Sequence, residues 1–153
     1  MAKPCVIFVE LNIQNKFRYA CDIIEKFYDN GLSVIVYTDD KKKADTLDRQ
    51  LWVWKQETFI PHVFKENLIS DSEEPVVVTN NADLGIESDA LILFDPLPEQ
   101  KLGQFNYIID FAEVYDKTRV IHSRERFKKM RDSELFEMNF FKLGEFLSKY
   151  KFN

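Results

Sequence analysis

A three-layer α/β fold around a mostly parallel central sheet is predicted from three observations. Short apolar, β-branched runs of strand length recur from Cys5 onward. Segments with apolar residues at steps of three and four alternate with them, as helices do. The strand–helix–strand–helix order returns each strand to the same sheet through a crossover, which makes the sheet parallel and doubly wound. The chain has 153 residues, enough for one domain with a real core, and we read residues 1–153 as that single domain.

Cys5 to Leu11, with Val6, Ile7, Phe8 and Val9, reads as a buried strand. In the helix that follows, Phe17, Ala20, Cys21, Ile24 and Phe27 form one apolar stripe. Asn30-Gly31 ends it, glycine being the natural residue for a left-handed cap. Leu32 to Thr38 is the second strand. Asp39 or Asp40 caps the next helix, whose inward stripe is Ala44, Leu47, Leu51 and Trp54.

Trp52 does not fit that stripe. It lies about a hundred degrees round the helix from Leu51, and the apolar segment Phe59-Ile60-Pro61 follows a short polar break. Core packing is one reading of these aromatics. The other is a partner anchor, since exposed aromatics concentrate binding energy.

Glu66 to Glu74 is polar and reads as a loop. Pro75 to Thr79 makes a third strand and Ala90 to Phe94 a fourth, broken by Asp95-Pro96-Leu97-Pro98. Glu99 to Gln104 is a short turn before the strand at Tyr107-Ile108-Ile109-Asp110-Phe111. The chain then turns through Glu113 to Asp116 into a helix carrying Lys117, Arg119, Arg124, Arg126, Lys128, Lys129 and Arg131. At 3.6 residues per turn, Arg124, Phe127, Lys128 and Arg131 share one face. Three cations around an aromatic ring suit an acidic peptide with an apolar end. A solvated basic helix with Phe127 in the core is the other reading. Beyond Arg131, Phe136, Phe140, Leu143, Leu147 and Tyr150 recur at helical steps, which predicts a C-terminal amphipathic helix over residues 132–152.

The formal net charge is -5, which argues against a protein that coats nucleic acid directly and makes the cationic helix a local exception. Hydrophobic residues make up 45% and charged residues 31%, a globular rather than a disordered composition. Cys5 and Cys21 lack metal-ligand spacing and read as free thiols in a reducing compartment. No stretch reaches the length of a membrane span, and Met1-Ala2-Lys3-Pro4 leads into a strand without a signal-peptide core. A cytoplasmic protein is expected.

There are only four glycines, Gly31, Gly85, Gly103 and Gly144, and none builds a phosphate loop. The first strand leads instead into Asn12-Ile13-Gln14-Asn15. The expected fold is thus a Rossmann-like sandwich with no nucleotide-binding loop, and no cofactor is expected. A small enzyme or a nucleotide- or metal-binding protein using Asp39, Asp40 or Asp95 is the competing reading, although helix capping explains the first two better. His62 and His122 form no metal spacing, and no serine sits in a nucleophile elbow. No catalytic residue is assigned.

Two segments together resemble one family. Leu47-Asp48-Arg49-Gln50-Leu51-Trp52 with Glu57-Thr58-Phe59-Ile60-Pro61-His62 is similar to a central signature of the chi subunit of bacterial DNA polymerase III. Ile109-Asp110-Phe111 with Ser123-Arg124-Glu125-Arg126-Phe127-Lys128 resembles the same family's late pattern. The resemblance covers residues 1–131, and the tail from Asp132 departs from it. It implies a Rossmann-like fold without a nucleotide site and a non-catalytic accessory of the clamp-loader complex. Such an accessory links the replicase to single-stranded DNA-binding protein by holding its acidic C-terminal tail, which ends in proline and phenylalanine. By the same resemblance, Arg124, Phe127, Lys128 and Arg131 lie on the tail-binding surface with Ala112 beside it. Phe127 stands where the family often has tyrosine, so the ring remains and the hydroxyl is lost. The surface for the psi subunit, or a substitute partner, maps to Trp52 and Phe59.

Overall fold

A computed structural model describes residues 3–55, 59–68 and 74–152. Met1 and Ala2, Glu57 and Thr58 of the central motif, and residues 69–73 of the polar loop lie outside the described residues. The continuous apolar runs become β1 (Cys5–Leu11), β2 (Val34–Tyr37), β4 (Val76–Thr79), β5 (Ala90–Leu93) and β6 (Tyr107–Glu113). Between them lie α1 (Lys16–Asp29), α2 (Lys41–Trp52), β3 (His62–Phe64) and a 3-10 turn at Glu99–Lys101. After β6 come α3 (Lys117–Ser133), β7 (Glu137–Lys142) and α4 (Leu143–Lys149). The described strands form one seven-stranded sheet in the order β3-β4-β2-β5-β6-β1-β7, and every pairing is parallel. No helix of the described residues is long and apolar enough to cross a membrane.

Alternate residues of the central strands serve opposite layers. Ile7, Val9 and Leu11 join Ile24, Phe27, Leu47, Leu51 and Phe146 in the core beneath α1, α2 and α4. Val6, Phe8 and Ile108 join Leu84, Ile86, Leu102, Phe105, Met130 and Phe136 on the other face. Asp40 caps α2 by accepting from the backbone N–H of Lys42 at 3.0 Å. Gly31 ends α1 at φ 73, the left-handed turn that glycine adopts without strain.

The C-terminal segment corrects the expectation of one helix over residues 132–152. Glu137–Lys142 is instead an edge strand, parallel to β1, and the helix spans only Leu143–Lys149. An open outer edge of β1 would leave backbone N–H and C=O groups unpaired, and β7 satisfies them. Phe140, placed on the expected apolar seam, is 51% exposed, whereas Phe146 off that seam is fully buried. His62–Phe64, a segment to which the sequence reading assigned no element, is a short strand against β4. Trp54 follows the end of α2, and its indole N–H donates to Glu25 at 2.8 Å.

Candidate functional site

The cationic helix α3 starts at Asp116, whose carboxylate accepts from the backbone N–H of Thr118 and Arg119, both at 2.9 Å. It stops where Glu134 takes the left-handed conformation, φ 59. Of its side chains only Ser123 and Met130 are buried, with Phe127 half-buried. Polar contacts fasten it to β6. Arg126 forks onto Asp110, Nε to Oδ2 at 3.0 Å and Nη2 to Oδ1 at 3.1 Å, and Nη2 also donates to the Phe111 carbonyl at 3.2 Å. The Ser123 hydroxyl lies 3.0 Å from the same carbonyl.

On the α3 side of the sheet, strand register sets Phe8 beside Asp110 and Phe140, and Glu10 beside Ala112 and Lys142. The helix covers β6 and reaches β1 through Phe127. After β7 the chain crosses to the opposite face. There α4 packs on α1, where Lys26 Nζ donates to the carbonyls of Leu147 and Tyr150 at 3.2 and 2.8 Å. Between α3 and the exposed ring of Phe140 on β7 lies a groove of about 450 Å³. Arg124, Phe127, Lys128 and Arg131 form its helical wall, with Val120 and Ser123. Phe8, Glu10, Ala112, Val114 and Phe140 line the rest.

All five residues assigned to the tail surface therefore meet in one groove, while Arg126, the neighbouring cation, is withdrawn onto Asp110. Both readings of Phe127 apply, because the ring packs edge-on against buried Phe8 and also lines the groove. Phe8, Glu10, Val114, Val120 and Phe140 were not assigned from sequence. The alternation of β1 signals the first two, since Phe8 and Glu10 are two apart on one strand face. No signal pointed to Phe140 while its segment read as a helix.

Trp52 and Phe59 lie elsewhere, 56% and 65% exposed, with ring centroids 5.8 Å apart. The indole also faces the buried ring of His62 at 4.5 Å. His62 ties this loop to α2, with Nδ1 2.7 Å from the Ile60 carbonyl and Nε2 2.9 Å from the Asp48 carbonyl. His122 is exposed on α3.

The strand-end aspartates are already engaged. Asp95 accepts from the Asp39 backbone N–H at 3.0 Å and from Lys43 Nζ at 3.1 Å, and Lys43 also reaches Asp39 at 3.0 Å. Among the described residues, no group of three or more His, Cys, Asp and Glu side chains is placed to hold a metal ion. The crevice beyond the carboxyl ends of the strands, where doubly wound folds take ligands, holds the chain's own lysine. Lys16 Nζ donates to the Phe94 carbonyl, lies 3.5 Å from Glu113, and faces the Phe94 and Phe111 rings at 4.6 and 5.1 Å. Burial pushes its ammonium below the ordinary lysine range, with Glu113 opposing.

Among solved structures, a S. cerevisiae Dbp5 variant bound to RNA and ADP BeF3 superposes with a TM-score of 0.62 at 16% identity, covering 94% of this chain and 42% of that one. The C-terminal domain of the DEAD-box protein Dbp5 gives 0.57 at 17% identity, covering 94% of this chain and 91% of that domain. These likenesses concern the fold alone. In sequence, the chain is 32% identical over 77 residues to the DNA polymerase III subunit chi of Pseudomonas aeruginosa, covering 50% of this chain and 52% of that protein. It is 22% identical over 99 residues to a probable DNA polymerase III subunit chi of Rickettsia prowazekii, covering 65% of this chain and 58% of that protein. The chain thus spans little more than half the length of the curated relatives it matches. The family described as DNA polymerase III chi subunit, HolC, matches residues 4–136, nearly the whole described sheet, and the chain belongs to that family.

Proposed function

We propose that this chain is a non-catalytic accessory subunit of the DNA polymerase III clamp-loader complex, and that it links the replicase to single-stranded DNA-binding protein by binding its acidic C-terminal tail. The observation that carries this reading is the groove between α3 and the β1–β7 edge, where Arg124, Lys128 and Arg131 stand beside Phe8, Phe127 and Phe140. Aspartates and a terminal carboxylate meet the cations, and the terminal apolar residues pack on the rings. A micromolar complex needs about 8 kcal/mol, within reach of one anchor and a few charge-assisted contacts. The engaged aspartates and the lysine-filled crevice favour this reading over a nucleotide- or metal-binding enzyme.

A second surface belongs to the same proposal. Trp52, Val53 and Phe59 are 56%, 80% and 65% exposed, an apolar patch suited to the psi subunit or a substitute partner. Neither surface is proposed to read nucleic acid directly or to bind a membrane.

The test is a titration of the folded protein with a peptide carrying the last residues of single-stranded DNA-binding protein. Arg124→Ala is expected to weaken binding by about 1–3 kcal/mol without lowering the melting temperature, because the side chain is exposed. A pull-down of the full partner, intact and lacking its last few residues, is expected to lose the shortened form. Equal capture of both forms removes the tail from the proposal.

A further inference from the structure

We propose that Asp110 and Arg126 are the positioning pair of this groove, setting where α3 lies on the sheet and therefore how far the cationic wall stands from the Phe8–Phe140 floor. The inference rests on the tail-binding reading for its functional consequence, but its structural content is independent of any ligand. A helix of 17 residues that buries only Ser123 and Met130 receives little positional information from apolar packing, which is non-directional. The directional contacts supply it. Arg126 reaches both carboxylate oxygens of Asp110, at 3.0 and 3.1 Å, and the Phe111 carbonyl at 3.2 Å. Asp110 is itself fixed, because its Oδ1 accepts the Phe111 backbone N–H at 2.7 Å and its side chain is only 3% exposed.

Two further contacts repeat the pattern along α3. Ser123 lies 3.0 Å from the Phe111 carbonyl, and Arg119 lies 3.3 Å from Glu113. Residues 119, 123 and 126 thus grip residues 110–113 of β6 along one line of the helix, while Arg124, Phe127 and Lys128 project from the neighbouring line into the groove. The guanidinium fork meets a carboxylate in one planar arrangement, so it specifies a distance and a rotation as well as an attraction. The fork is also not required as a source of stability, since apolar residues of similar volume commonly replace a buried ion pair at no cost. Its distinct contribution here is to hold Phe127 edge-on to Phe8 with the rim cations at a fixed height.

The experiment compares the full chain with the double variant Asp110→Leu/Arg126→Met, which removes both charges without burying one unpaired, and with Arg126→Lys, which keeps the charge and loses the fork. Three quantities are measured: the melting temperature, the affinity for the tail peptide, and the ring-to-ring NOE contacts between Phe8 and Phe127. The double variant is expected to melt within about 5 °C of the parent, to bind the peptide at least about tenfold more weakly, and to lose or broaden the Phe8–Phe127 contacts. Arg126→Lys is expected to fall between the two in affinity at an unchanged melting temperature. A folded double variant with parental contacts and parental affinity overturns the proposal. If the double variant does not fold, Arg126→Lys decides, and parental affinity with parental ring contacts overturns it. If the parent itself binds no peptide, the tail reading fails, and the ring contacts still decide whether the pair positions α3.

Discussion

The ring of Phe127 meets that of Phe8 edge-on, with centroids 5.1 Å apart and planes at 75°. One residue of α3 is therefore joined to the sheet core and presented to the groove at once. Phe127→Ala is expected to cost about 1–3 kcal/mol of stability, less than a fully buried ring, and to remove the part of tail binding that survives high salt. Lys128 is exposed, so Lys128→Ala is expected to act mainly at low salt and to leave the melting temperature unchanged. Titrations at two salt concentrations, beside melting curves, check both. Equal losses for Lys128→Ala at both salts would count against a screened contact.

Among the described residues, Glu10 is the one acid lining this groove, and the strand register places it between Ala112 and Lys142. Its charge opposes an acidic ligand across a partly solvated gap. Glu10→Gln is expected to tighten tail binding by about 0.5 kcal/mol at low salt and to have little effect at high salt. Weaker binding would instead mean that the carboxylate accepts a hydrogen bond from the ligand. The same peptide titration reads the difference.

Trp52 is 56% exposed, and its described ring contacts are with Phe59 and His62. Trp52→Ala is therefore expected to cost about 1 kcal/mol in denaturant unfolding, well short of the 3–5 kcal/mol of a core tryptophan. Copurification with psi or its substitute is expected to be lost. A stability loss in the core range would make Trp52 a structural residue and remove the patch from the proposal.

Burial, with Asp22 and Glu25 nearby, pushes the Cys21 thiol from 9.0 to about 12. The folded state thus prefers the neutral thiol more strongly than the unfolded chain does. That preference contributes fully below about pH 9 and is lost as pH rises toward about 12, at up to about 1.4 kcal/mol per pH unit. Cys5, also raised by burial, adds to the same limb, and Tyr115, raised to about 12 by burial and by its hydrogen bond to Glu113, adds above pH 10. Cys21→Ala is expected to remove the larger part of the decline between pH 9 and 10. Denaturant unfolding at pH 7.5, 9 and 10 measures it, and parallel curves for parent and variant would reject the thiol as the source.

Five strands and the first three helices follow from local chemistry that each segment carries with it. Runs such as Val76-Val77-Val78 have no polar face to offer water, so they belong inside a parallel sheet wherever the chain places them. Asp40 and Asp116 cap helices through backbone donors two or three residues away. The cationic wall of the groove is legible for the same reason, since helical periodicity alone puts Arg124, Phe127, Lys128 and Arg131 on one side. The floor is not, because Phe8, Ala112 and Phe140 come from three strands whose register no local pattern specifies.

The C-terminal segment shows where local pattern ends. Phe136, Phe140, Leu143 and Leu147 suit a helix by spacing, yet Glu137–Lys142 is a strand because the outer edge of β1 needs a hydrogen-bonding partner. The exposure of Trp52 and the withdrawal of Arg126 onto Asp110 are decisions of the same kind. Sequence alone determined the alternating α/β order, the missing phosphate loop, the basic face of α3 and the family motifs, because those depend on residues close along the chain. Only the tertiary structure decided β7, the open groove and which cation is withdrawn from it, because those depend on the backbone of β1 meeting that of β7 more than a hundred residues later, and on Arg126 of α3 folding back onto Asp110 of β6.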